Sequence, residues 1–171
     1  MNKQGLLAAS IAMALVGCGS DSDSSSNPTT FSITAIDGYL VNANVSVDST
    51  QDGVCNLSQG KTDDKGQASL SLEYRNAVVC VDAVAGQTVD SNRGLVQHDF
   101  TLANSGSGTI INPMTNMVNK LLAEDSELTV AVAEEQVVVA ITGDAGLEVS
   151  QALIFGDYIA DTTEQAEALG R

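Results

Sequence analysis

Apolar and polar residues alternate with period two in several short stretches of residues 31–112. Phe31, Ile33 and Ala35 alternate with Ser32 and Thr34, and Tyr39, Val41, Ala43, Val45 and Val47 form a second set with Asn42, Asn44, Ser46 and Asp48 beside them. This is the spacing of half-buried strands. Ala68, Leu70 and Leu72 alternate with polar residues, as do Val79, Val81 and Ala83, and residues 100–102 and 109–111 are short strand candidates. Residues 48–60 read as a polar loop. Asp37-Gly38 and Thr62-Asp63-Asp64-Lys65-Gly66 carry turn residues. Several short strands separated by turns predict an antiparallel β-sandwich over residues 31–112.

The period changes at Asn112. Pro113 suits the first helical position with Asn112 as the cap. Met114, Met117, Val118, Leu121 and Leu122 then follow the i, i+3, i+4, i+7, i+8 spacing of one helix face. A second helix is predicted over residues 129–142, where Val130, Ala133, Val137, Val138 and Ile141 share a face and Gly143 stops it. Its five valines and Ile141 are β-branched and pull toward a strand instead. Residues 151–160 and 162–169 also read as helices, with Gly156 interrupting the first. Residues 113–171 are therefore expected to form a helical region. The pattern runs to Arg171 without a cap, so the reading that the chain is a fragment stays open beside that of a complete protein.

The N-terminus has a different character. Residues 6–16 are an apolar run of 11 broken only by Ser10, after an n-region whose one charge is Lys3. That is too short to span a bilayer and suits a signal peptide. The run ends in Leu15-Val16-Gly17-Cys18, which resembles the bacterial lipobox. The resemblance implies cleavage after residue 17 and a diacylated Cys18, with palmitate-type chains holding a soluble protein on the membrane. Residues 19–30, GSDSDSSSNPTT, contain no apolar side chain and form with Cys18 a flexible tether. Gly19 and Ser20 carry no aspartate-type retention signal of Gram-negative lipoproteins, which points to the outer membrane, with the rest of the chain in the periplasm or on the cell surface.

Charge narrows the partners. The chain carries −15, and −16 once Lys3 is removed. No basic footprint for nucleic acid or anionic lipid is present, so membrane contact is expected through the lipid alone. After Cys18, Cys55 and Cys80 remain, an even pair in an oxidising compartment, and a bridge between them is expected. A metal reading attaches to Asp48, Thr50, Asp52 and Asn56, whose spacing follows positions 1, 3, 5 and 9 of a calcium loop. Gln59 stands where that loop needs a bidentate carboxylate, so a polar hairpin loop is the competing reading, and no other cofactor is implied. His98 is the only histidine, and no GxSxG elbow accompanies it. Asp63 with Asp64, and Glu134 with Glu135, are neighbours in sequence and so point apart. The Asn104-Ser105-Gly106-Ser107-Gly108 stretch lacks the lysine of a phosphate loop and reads as flexible.

Three stretches carry a family resemblance: AIDGYLVNANVSVD at residues 35–48, TDDKGQASL at 62–70 and IINPMTNMV at 110–118. In this order they resemble Gram-negative surface lipoproteins with a carboxypeptidase-regulatory-like, or Cna-B-like, sandwich followed by helices. The resemblance implies an immunoglobulin/transthyretin-like sandwich and a surface location, and no reaction. The function expected is a non-catalytic binding or structural module for a protein or glycan. The alternatives are the N-terminal portion of a longer secreted enzyme and a periplasmic metal-ion binder.

Overall fold

The computed structural model describes residues 29–144 and 148–170. The predicted signal peptide, Cys18 and nearly all of the tether lie outside the described residues. Ten short strands come first: β1 (Thr30–Ala35), β2 (Leu40–Val41), β3 (Asn44–Val47), β4 (Leu57–Lys61), β5 (Gln67–Ser71), β6 (Val79–Ala83), β7 (Val89–Asp90), β8 (Gly94–Leu95), β9 (Phe100–Ala103) and β10 (Ile110–Ile111). Four helices follow: α1 (Pro113–Glu124), α2 (Val130–Val139), α3 (Gln151–Ile154) and α4 (Glu164–Leu169). A π-helical turn, Ala140–Asp144, extends α2.

The strands form sheets in the orders β10-β1-β5, β2-β7-β8 and β4-β3-β6-β9. Pairing is antiparallel except between β1 and β10, which run parallel with Thr34 opposite Ile110 and Ala35 opposite Ile111. The expected sandwich is thus mostly antiparallel, with one parallel pair that brings the end of the strand region beside its beginning. One core gathers side chains from the β10-β1-β5 and β4-β3-β6-β9 sheets: Ile33 and Ala35 of β1, Val45 and Val47 of β3, Leu70 of β5, Val79, Val81 and Ala83 of β6, and Leu102 of β9. That arrangement is sandwich-like, and most of the alternating residues predicted to face inward do so; Leu72 does not, because β5 ends at Ser71 and Leu72 opens an exposed 3-10 turn.

Two local expectations are corrected. The run from Tyr39 to Val47 is not one strand. Asn42 takes a left-handed φ of 62°, which asparagine tolerates better than most residues. The break shifts the alternation: Leu40 is fully buried, while Tyr39 and Val41 are half-buried. Thr62 braces the break by donating from Oγ1 to the Leu40 carbonyl and accepting from the Ala43 N–H. The second correction is β4, which lies in the stretch read as polar loop. Its side chains are mainly exposed, so an edge strand here carries no apolar alternation to detect.

The helices pack on a second core. Ile36, Met114, Val118, Ala133, Val137, Ile154, Tyr158 and Ala166 are buried together. Asn112 caps α1 as expected, accepting from the Thr115 N–H at 2.8 Å while Thr115 Oγ1 accepts from the Asn112 N–H at 2.9 Å. The valine-rich stretch is helical. Thr129 caps it, and Ala133 and Val137 fall one turn apart on the buried side, so packing outweighs the strand preference of the valines. The last two predicted helices shorten to Gln151–Ile154 and Glu164–Leu169. Gly156 follows α3, where a Cβ would stand 2.4 Å from the Ala152 carbonyl oxygen.

Candidate functional site

Residues 48–56 contain the sequence-predicted metal ligands. Asp48 is buried at the end of β3. Its carboxylate accepts from the N–H groups of Thr50, Asp52 and Gly53, the last at 2.7 Å. Burial pushes the carboxyl up, but these backbone donors together outweigh it and hold the group below its ordinary range. Asp52 accepts from the Val54 N–H, and Asn56 accepts from Ser49 and donates to Thr50 Oγ1 at 2.8 Å. Asp48, Thr50 and Asn56 are therefore brought close, as the spacing suggested, but their oxygens face the loop's own hydrogens. The positive ends of the N–H dipoles occupy the region where a cation would need negative charge. These oxygens are engaged inside the loop, and among the described residues no group of three or more His, Cys, Asp and Glu side chains converges on a metal position.

The same loop is tied to the sheet by covalent chemistry. Cys55 and Cys80 form a disulfide with their Cα atoms 6.1 Å apart. Val79 and Val81 point into the core, so the intervening Cys80 faces the other side of β6. The bridge clamps the loop on the outer face, as the alternation predicts.

A second polar centre surrounds Asp37-Gly38-Tyr39. Asp90, at the end of β7, is buried and accepts from the N–H groups of Gly38, Asn92 and Arg93. A Cβ on Gly38 would stand 2.4 Å from an Asp90 carboxylate oxygen, so this approach requires glycine. Arg93 pairs with Asp37 at 3.1 Å. The Tyr39 hydroxyl donates to Asp157 at 3.0 Å, linking the strand region to the segment after α3. Burial, then the hydrogen bond and charge of Asp157, raise the Tyr39 phenol above its ordinary pKa. Tyr158 is buried beside it, and burial, with Asp37 adding and Arg93 opposing, raises its phenol further. His98 is exposed and lines a shallow depression with Asp37, Asp90, Arg93 and Phe100.

The third feature is a cleft of about 340 Å³ where the strand region meets the helices. Asn104, Ser105 and Ser107 line one side, and Val130, Glu134 and Phe155 the other. The stretch read as flexible is organised by Asn104, which donates from Nδ2 to the carbonyls of Gly106 and Gly108 and accepts from the Val79 N–H. Asn119 of α1 donates to the Asn104 carbonyl, and Thr115 Oγ1 donates to the Ala103 carbonyl, both at 3.0 Å. Glu134 accepts from Gln151, while its sequence neighbour Glu135 is exposed. Asp63 accepts from the Lys65 and Gln67 N–H groups, which hold its carboxyl below the ordinary range, and Asp64 is exposed.

Sequence reasoning did not single out Asp90, Asp157 or Tyr158, nor a structural role for Asn104. The available signal was weak: Asp90 and Asn104 are each followed by Ser and a further turn-forming residue, the composition of an Asx turn. Set beside known proteins, the chain matches no family model, no curated protein and no solved structure.

Proposed function

We propose that this chain is a lipoprotein anchored to the outer membrane through Cys18, presenting a non-catalytic binding or structural module. The observation that carries the reading is Leu15-Val16-Gly17-Cys18 directly after an 11-residue apolar run and before an apolar-free tether. The Cys55–Cys80 disulfide supports export to an oxidising compartment. The commitments of Asp48, Asp63, Asp90 and Asn104 support the module reading. Each uses its side chain to organise a loop, which leaves a rigid frame with short connections. The finer fold reading is an immunoglobulin/transthyretin-like sandwich of the carboxypeptidase-regulatory-like kind. The strand-helix cleft, which mixes Phe155 and Val130 with Asn104, Ser105 and Glu134, is the surface best suited to a protein or glycan ligand.

The test is lipidation in the cell. The wild-type chain should incorporate labelled palmitate and fractionate with outer membranes, and Cys18→Ser should accumulate as an unlabelled precursor. Palmitate on the Cys18→Ser chain, or a wild-type chain released unlabelled, overturns the anchor.

A further inference from the structure

The helical region leaves an unusual surface uncovered. A groove of about 380 Å³ runs between α1 and α2, lined by Met117, Lys120, Leu121, Glu124, Val137 and Ala140. Met117, Lys120, Leu121 and Glu124 fall at i, i+3, i+4 and i+7, so they form one stripe along α1. A second stripe on α2 extends this surface: Val132 is 44% exposed and Val139 59%, with exposed Glu135 between them. The two helices are joined by residues 125–129 alone, and among the described residues no other element covers this side of the pair.

The charges on this surface are distinctive. Lys120 is the only lysine or arginine between residues 113 and 170, a stretch that holds eleven Asp and Glu. It stands in the groove, one helical turn from Glu124, and makes no ion pair among the described residues. A partner of uniform charge would meet one of these two groups with its own sign. A second copy of the same face would not, because a two-fold axis makes residue i meet j while j meets i. With the axis at the level of Leu122, each Lys120 faces the other copy's Glu124. No other face of residues 113–170 offers a lysine or arginine to meet a carboxylate, and Glu135 would sit at the rim of this one.

We propose that this face is a homodimer interface, in which the α1–α2 pairs of two copies close into a four-helix arrangement around Met117, Leu121, Val132 and Val139. The proposal stands apart from the lipid anchor and does not depend on it. The acidity of the remaining surface makes encounter slow at low salt, and the screening length of about 8 Å at physiological ionic strength relieves that repulsion.

The test is sedimentation equilibrium of the full chain in a density-matched non-ionic detergent, with circular dichroism to check folding of each variant. The wild-type chain should dimerise in the micromolar range. Val139→Glu should leave it monomeric, and Lys120→Glu should raise the dissociation constant about tenfold or more. Adding Glu124→Lys to Lys120→Glu reverses both signs of the pair and should restore dimerisation. A wild-type chain that stays monomeric overturns the proposal and gives the face to a different protein or to lipid. So does a dimer indifferent to Val139→Glu, or a double variant as weak as Lys120→Glu alone. Because none of these variants touches Cys18, failure here is distinct from failure of palmitate labelling.

Discussion

The strand region and the helical region meet their backbone hydrogen-bonding needs in different ways. Between strands, side chains organise several connections: Asp48 after β3, Asp63 before β5, Asp90 after β7 and Asn104 after β9 all accept from backbone N–H groups. Chain leaving a sheet edge has donors with no ladder partner, and these acceptors supply one. The helices satisfy their backbone internally and need side chains only at their caps, which Asn112, Thr129, Ser150 and Thr163 provide. The polar effort of the strand region is therefore spent inward. Among the described residues the helical region instead leaves apolar side chains on its outer face, where Val132 and Val139 lie exposed.

The difference can be broken most strongly at the disulfide. Replacing Cys55 and Cys80 together with Ala should cost about 3.5 kcal/mol, from the loop of 25 residues it closes. Denaturant unfolding reads the loss, and hydrogen exchange should show it in β3, β4 and β6 before α1 and α2. Equal acceleration in both regions would mean that they unfold as one unit. Asn112→Ala removes the cap of α1 and the 3.0 Å bond from Asn112 Nδ2 to the Ile154 carbonyl. A loss of about 2 kcal/mol is expected, with exchange rising first in α1 and α3.

Tyr39→Phe cuts the link to Asp157 while keeping the ring. About 1 kcal/mol should be lost, with exchange rising after α3 and the β1–β5 ladder unchanged. Acid acts on both regions: Asp161, just before α4, is held below the ordinary carboxylate range by Thr163, as two carboxyls of the strand loops are by their own donors. Asp48 and Asp63 are held below the ordinary carboxylate range by backbone donors. Their contribution is complete above the unfolded pKa of about 4 and is lost as pH falls through the lower folded values. The loops at residues 48–56 and 62–67 should therefore loosen in an acid titration followed by NMR. The smallest effect concerns calcium: millimolar Ca²⁺ should leave the midpoint of thermal unfolding unchanged, because Asp48 already accepts from three N–H groups. A rise with calcium would show that the loop rearranges to take the ion.

Much of this molecule was legible in the order of residues, and the reasons are local. Alternation marks Ile33, Val45, Val47, Leu70, Val79 and Val81 as inward because a strand's side chains switch faces at every step, and all six are buried. Asn112-Pro113 announces a helix because a cap and a preset φ act within a few residues. The pairing of Cys55 with Cys80 follows from their number once Cys18 is set aside. The tertiary structure alone decided the parallel β1–β10 pair, the edge strand β4 and the approach of Gly38 to Asp90, since each joins segments whose own composition carries no sign of the partner. It also decided the valine-rich stretch: α2 is a helix because burying Ala133 and Val137 against α1 outweighs a propensity difference of well under 1 kcal/mol per residue. The candidate metal ligands show the same division. Spacing brought Asp48, Thr50 and Asn56 into one loop, but which way their oxygens face depends on backbone N–H groups that only the folded turn positions.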